Sequence, residues 1–176
     1  REPSKVMLAS TSVAEARAAG SSLYKIKYIK GFNGTIAIFS TMIMDRAFAS
    51  AGVTEAQAKM QNLDIVTGTF EGMNRHPATI PDAVKQSVKL IAMNHSGRII
   101  GGQIIGGPEV GELINIIGLL IEEKVSVYTL MSLQVATHPL LTAAPTNYPI
   151  AKAAEIISCL LYTSDAADDM QCVDLG

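Results

Sequence analysis

Apolar residues recur at helical spacing between residues 108 and 124. Val110, Leu113, Ile114, Ile117 and Ile121 share one face, and Ile116, Leu119 and Leu120 widen it. This pattern predicts the longest helix of the chain, from Pro108 or Glu109 to about Lys124, covered on more than one side. Elsewhere the period drops to two. In Leu63 to Asn74, Ile65, Thr67, Thr69 and Glu71 alternate with Val66, Gly68, Phe70 and Gly72, which predicts a strand. Thr35 to Met44 and Arg46 to Gly52 read as two further strands. Ser87 to Asn94 and Arg98 to Ile105 read as a hairpin turning at His95-Ser96-Gly97.

Helix signals flank these strands. Ser4 to Lys30 reads as mostly helical, with Ser12-Val13-Ala14-Glu15 as a capping box and Leu23, Ile26 and Ile29 extending an apolar stripe past Gly20. Gly31 to Gly34 reads as a loop. Thr54-Glu55-Ala56-Gln57 is a second capping box, opening a helix to about Asn62. Ser126 caps a short helix, Val127 to Leu133; Gln134 to Thr137 is extended, and Pro145 and Pro149 bracket an irregular crossing. Ile150 to Ile157 is a final helix. The order predicts an α+β fold, an antiparallel sheet covered by helices on one face.

Composition narrows the classes of function. The 176 residues carry 14 basic and 16 acidic side chains, a formal charge of −2, so nothing marks a nucleic-acid partner. Val110 to Ile121 is the longest apolar region and is interrupted by Glu112 and Asn115, so no membrane span is expected. The start, Arg1-Glu2-Pro3-Ser4-Lys5, is neither a signal peptide nor an initiator Met, and the chain reads as cut at this end.

The last 18 residues differ from the rest. They hold both cysteines, Cys159 and Cys172, and four aspartates, Asp165, Asp168, Asp169 and Asp174, with no Lys or Arg. Without them, 14 basic groups face 12 acidic ones and cysteine is absent, so a disulfide framework is excluded for residues 1–158. Residues 159–176 resemble the conceptual translation of a sequencing-library adapter and are expected to be disordered; a natural acidic tail is the alternative.

Three motifs bear on chemistry. Gly101-Gly102 and Gly106-Gly107 precede a helix, as in a phosphate-binding turn. Their spacing matches neither a dinucleotide fingerprint nor a P-loop, so they read as close-packing glycines. His76, His95 and His138 show no metal-ligand spacing, and no metal site is expected. By spacing alone His138, before Pro139, reads as structural. The eight methionines read as core filler.

Residues 1–158 nevertheless resemble, in motif order and spacing, the C-terminal third of FAD-dependent pyridine nucleotide-disulfide oxidoreductases. That family includes NADH oxidases, coenzyme A disulfide reductases, glutathione reductase and dihydrolipoamide dehydrogenase. Val6 to Gly20 resembles the helix that ends the FAD domain, and Ala47 to Glu55 the entry to the dimerisation domain. Arg98 to Gly106 with the helix opened by Glu109 resembles that domain's central hairpin and helix, and Thr137-His138-Pro139 its active-site His-Pro.

The resemblance implies a domain layout: 1–31 as the end of an FAD-binding domain, 32–158 as the dimerisation domain, and 159–176 outside the fold. It implies a cytoplasmic homodimer moving electrons from NAD(P)H through FAD to a thiol, disulfide, persulfide or oxygen acceptor. It places Thr11, Ser12 and Val13 against the flavin pyrimidine, where a helix N-terminus favours the anionic reduced ring. It places Thr137 and His138 at the partner's flavin, with His138 as acid/base for the reacting thiol. The family's orienting Glu, five residues after the His, is replaced by Ala143. His138 then either acts in proton transfer or only contacts the flavin, and Tyr148 is the substitute.

The Gly-rich phosphate turn, the redox cysteine and the NAD(P)H domain are not among these residues, so the chain alone is expected to be inactive and flavin-free. The competing expectation is a stand-alone, non-catalytic interaction domain of the same fold.

Overall fold

The computed structural model describes residues 9–25 and 34–165. The chain falls into two compact units, Arg1–Ala37 and Ile38–Gly176.

In the first unit, α1 runs from Ala9 to Ser21 and buries none of its residues. It starts before the expected cap, so Ser12 lies inside the helix and the Ser12–Glu15 capping box is not formed. Ala9, Ala14, Ala16, Ala18 and Ala19 carry the helix through this serine-threonine cluster, because alanine loses no side-chain entropy on joining it. The helix also ends earlier than expected. Ser21 Oγ donates to the Ala18 carbonyl at 3.0 Å, and the Ser22 and Leu23 amides close short turns onto Ala19 and Gly20. Leu23 is therefore past the helix and exposed. Ser4 to Leu8, Ile26, Ile29 and residues 31–33 of the expected loop lie outside the described residues.

The second unit is an α+β sandwich. Its elements are β1 (Ile38–Ile43), β2 (Arg46–Gly52), α2 (Glu55–Met60), β3 (Ile65–Met73), β4 (Lys85–Met93), β5 (Ile99–Gly106), α3 (Val110–Glu122), α4 (Val127–Met131), a 3-10 turn (Pro145–Asn147) and α5 (Pro149–Asp165). The five strands form one sheet in the order β1-β2-β5-β4-β3, with every neighbouring pair antiparallel. The expected β4–β5 hairpin is present; its turn closes with the Gly97 amide on the Met93 carbonyl, and Gly97 takes a φ of 62°.

Helices α3 and α5 cover one face of the sheet, α3 over β1, β2 and β5, and α5 over β3 and β4. Ala47, Ala49 and Ala51 present small side chains to α3. Val88, Leu90, Ala92 and Ile104 meet Val110, Ile114 and Ile117 from α3 and Ile150, Ala153, Ala154 and Ile157 from α5 in one core. Burying each large aliphatic side chain contributes about 1.5–3 kcal/mol relative to exposure. The glycines allow this closeness. Gly102 sits under the Ile117 side chain, where a Cβ would lie 2.9 Å from Cγ2, and Gly68 sits under α5. Of the glycines before α3, Gly101, Gly102 and Gly106 thus serve close packing, Gly101 against the Val53 backbone and Gly106 against Val110 and Gln86.

Two expectations change. Ser126 occupies the N-cap of α4, but its hydroxyl pairs with Thr129 Oγ1 at 3.4 Å rather than with a backbone amide. The last helix is longer than Ile150 to Ile157: it starts at Pro149 and continues to Asp165. Residues 159–165 are thus helical, where disorder was expected. Leu161 joins the core from there, against the Gly97 turn, so burial favours the extension. Residues 166–176, with Cys172, lie outside the described residues.

Candidate functional site

Crossing from α4 to α5, residues 132–148 run mostly without regular structure. Thr137 and His138 are exposed there. The segment is nonetheless tied. The His138 carbonyl accepts from the Leu141 and Thr142 amides, both at 2.9 Å, and Thr142 Oγ1 accepts from the His138 amide at 3.1 Å. His138 Nδ1 accepts from the Leu140 amide at 3.3 Å. The Pro139 carbonyl accepts from the His76 amide at 3.2 Å, which joins this turn to the 75–84 loop. Ala143, where the resemblance sought an orienting carboxylate, is buried.

Tyr148 follows the 3-10 turn and packs partly against the core. Burial pushes its phenol up from the ordinary value. Thr11, Ser12 and Val13 stand on α1 in the other unit: Thr11 is half-buried, and Ser12 and Val13 are exposed. The structure therefore brings Thr137 and His138 together in one turn, while the other three belong to a separate body.

Helix α3 does not offer a phosphate cradle. Its opening amides are spent within the turn: Val110 on Gly107, Gly111 on Pro108, and Glu112 and Leu113 on Glu109. Glu109 Oε1 accepts from Asn74 Nδ2 at 3.0 Å, so a carboxylate already sits at this end. Among the described residues no group of three or more His, Cys, Asp or Glu is placed to hold a metal ion, and no helix is long and apolar enough to cross a membrane.

On the other face of the sheet, alternation from Val88 and Leu90 turns Lys89 away from the core. It pairs with Glu55 at the start of α2, which also binds Lys59 at 2.7 Å. Hydrogen bonds from Lys59 and Lys89, with their charges, hold the Glu55 carboxyl at about 2. A cleft of about 440 Å³ opens beside this pair, bordered by Phe39, Phe48, Ser87, Lys89, Gln103 and Ile105.

The sequence reading missed the bracing of His138 by Leu140 and Thr142, and the Glu55–Lys89 pair. A Thr four residues after a His-Pro is a local signal for the first, since short hydroxyl side chains close turns on nearby backbone. Nothing in the sequence announces the second, because Glu55 and Lys89 are 34 residues apart.

A two-layer α+β domain with one helix-covered sheet face and an exposed His-Pro turn defines a class, and comparison with known proteins identifies it. Residues 38–148 match the family model of the pyridine nucleotide-disulphide oxidoreductase dimerisation domain, and the chain belongs to that family. It is 28% identical over 124 residues to an NADH oxidase of Enterococcus faecalis, covering 69% of this chain and 27% of that relative. It is 32% identical over 108 residues to dihydrolipoyl dehydrogenase 3 of Haloarcula marismortui, covering 61% of this chain and 22% of the relative. The NAD-dependent persulfide reductase from A. fulgidus is similar in structure, with a TM-score of 0.74 at 26% identity over 91% of this chain and 28% of that one. Reduced Bacillus anthracis CoADR-RHD shares the fold, with a TM-score of 0.80 at 20% identity over 90% of this chain and 28% of that one. The chain thus spans less than a third of each of these proteins.

Proposed function

We propose that this chain is the dimerisation part of an FAD-dependent oxidoreductase that passes electrons from NAD(P)H through FAD to a thiol, disulfide, persulfide or oxygen acceptor. The family match over residues 38–148 carries the reading. Residues 32–158 supply the dimer contact and residues 1–31 the last helix of the FAD-binding domain, in a cytoplasmic homodimer. The exposed apolar side chains Ile116, Leu119, Met131, Leu140 and Leu141 are suited to such a contact. Obligate interfaces often bury more than about 2,000 Å².

FAD fits the donors available. Thr137 and His138 are exposed, and the imidazole's Nδ1 is engaged by the Leu140 amide, leaving Nε2 for a ligand. On α1, Ser12 and Thr11 offer hydroxyls and Val13 an apolar contact. When bound, FAD accepts a hydride from NAD(P)H and delivers the electron pair to the acceptor. In this reading the α1 residues serve one flavin, and Thr137 and His138 serve the flavin of the partner subunit; the chain holds no Gly-rich turn for the pyrophosphate, so it does not retain FAD unaided.

Sedimentation of the chain, with an FAD titration beside it, tests this. The expected result is a dimer or larger assembly with no stoichiometric flavin. A lasting monomer at high protein concentration would overturn the dimerisation role, and tight yellow FAD would overturn the division of labour.

A further inference from the structure

The imidazole of His138 has a defined polarity. An amide N–H donates to Nδ1, so that nitrogen bears a lone pair and the proton of the neutral ring is on Nε2. The position five residues on, Ala143, is buried and has no group to reverse this. The backbone of the same residue is clamped. Thr142 Oγ1 accepts from the His138 amide at 3.1 Å, and its own proton has the Ala143 carbonyl at 3.1 Å as nearest acceptor, with the His138 carbonyl at 3.4 Å. The His76 amide holds the Pro139 carbonyl from the neighbouring loop.

We propose that the Leu140 amide and the Thr142 hydroxyl position His138, fixing its ring so that Nε2–H meets a ligand as a hydrogen-bond donor. A carboxylate on Nδ1 would set the opposite tautomer, with Nε2 as a base. Here the neutral imidazole supports a carbonyl or anionic acceptor and does not abstract a proton. This assignment of a ligand rests on the flavin reading above; the ring polarity itself does not.

The test uses the full chain labelled with ¹⁵N, at a pH where the imidazole is neutral. The expected signature is a coupling across the hydrogen bond between the Leu140 amide nitrogen and His138 Nδ1, with the proton on Nε2. Free imidazole also favours a proton on Nε2, so the coupling is the deciding signal. Thr142→Val is expected to abolish it and Thr142→Ser to restore it. No coupling in the unaltered chain, or a proton on Nδ1, would overturn the proposal. An unchanged coupling in Thr142→Val would remove Thr142 from it. No flavin enters the readout, so loss of the flavin reading would leave this result standing, and the reverse.

Discussion

Gly68 of β3 lies directly beneath Ala153 of α5: a Cβ at position 68 would overlap the Ala153 carbonyl oxygen and come 2.8 Å from Ile157 Cγ1. The obstacle is helix backbone, which cannot turn aside as a side chain can. Gly68→Ala is expected to destabilise the domain by about 1–3 kcal/mol, the usual cost of overpacking. Urea denaturation measures it; an unchanged midpoint would mean that α5 stands further from the sheet.

Glu55 sets a pH dependence. Its carboxyl is lowered from 4.5 to about 2 in the fold. A lowered value means that the stabilisation is complete above the unfolded value of 4.5 and is lost as the pH falls through the folded value. Thermal unfolding followed between pH 5 and about pH 2 is expected to show falling stability. Glu55→Gln is expected to flatten part of that slope.

Gln86 is 2% exposed, and its Nε2 has no hydrogen-bond partner among the described residues. It sits beside Gly106 and Val110. An unsatisfied buried polar group costs about 1–3 kcal/mol, so Gln86→Met, close in shape, is expected to be neutral or stabilising. A loss of stability would indicate a partner that the buried amide reaches.

Leu161 is buried near the Gly97 turn, beyond the point where the domain was expected to end. Leu161→Ala is expected to destabilise by about 2–4 kcal/mol. Removing residues 159–176 is expected to cost at least as much. If truncation leaves the unfolding midpoint unchanged, the extension of α5 adds nothing to the fold.

The sheet was legible because its strands carry strong local signals: the alternation of β3, the Gly97 turn and the β-branched run in β1. The long helix was legible for the same reason, since Val110, Leu113, Ile114, Ile117, Leu120 and Ile121 fall on its inner side. The boundaries of α1 and α5 were not. Ser12 looked like a cap because Glu15 follows at the right distance, yet an alanine-rich helix ran through it. The end of α5 depends on Leu161 finding the Gly97 turn, a contact between residues far apart in sequence. Thr137 and His138 were singled out by resemblance, not by spacing. What braces them is largely main-chain hydrogen bonding within the turn, which residue types report only faintly.

The proposal that this chain completes a flavoenzyme can be tested at the gene. The most direct measurement reads the source gene across Arg1, expresses the whole frame, and records the flavin spectrum of the purified product before and after NAD(P)H. The expected result is an upstream Gly-rich βαβ start with a cysteine, stoichiometric FAD, and bleaching of the flavin by NADH or NADPH. A colourless product that NAD(P)H leaves unchanged, or a start codon beside Arg1, would contradict it and favour a non-catalytic interaction domain.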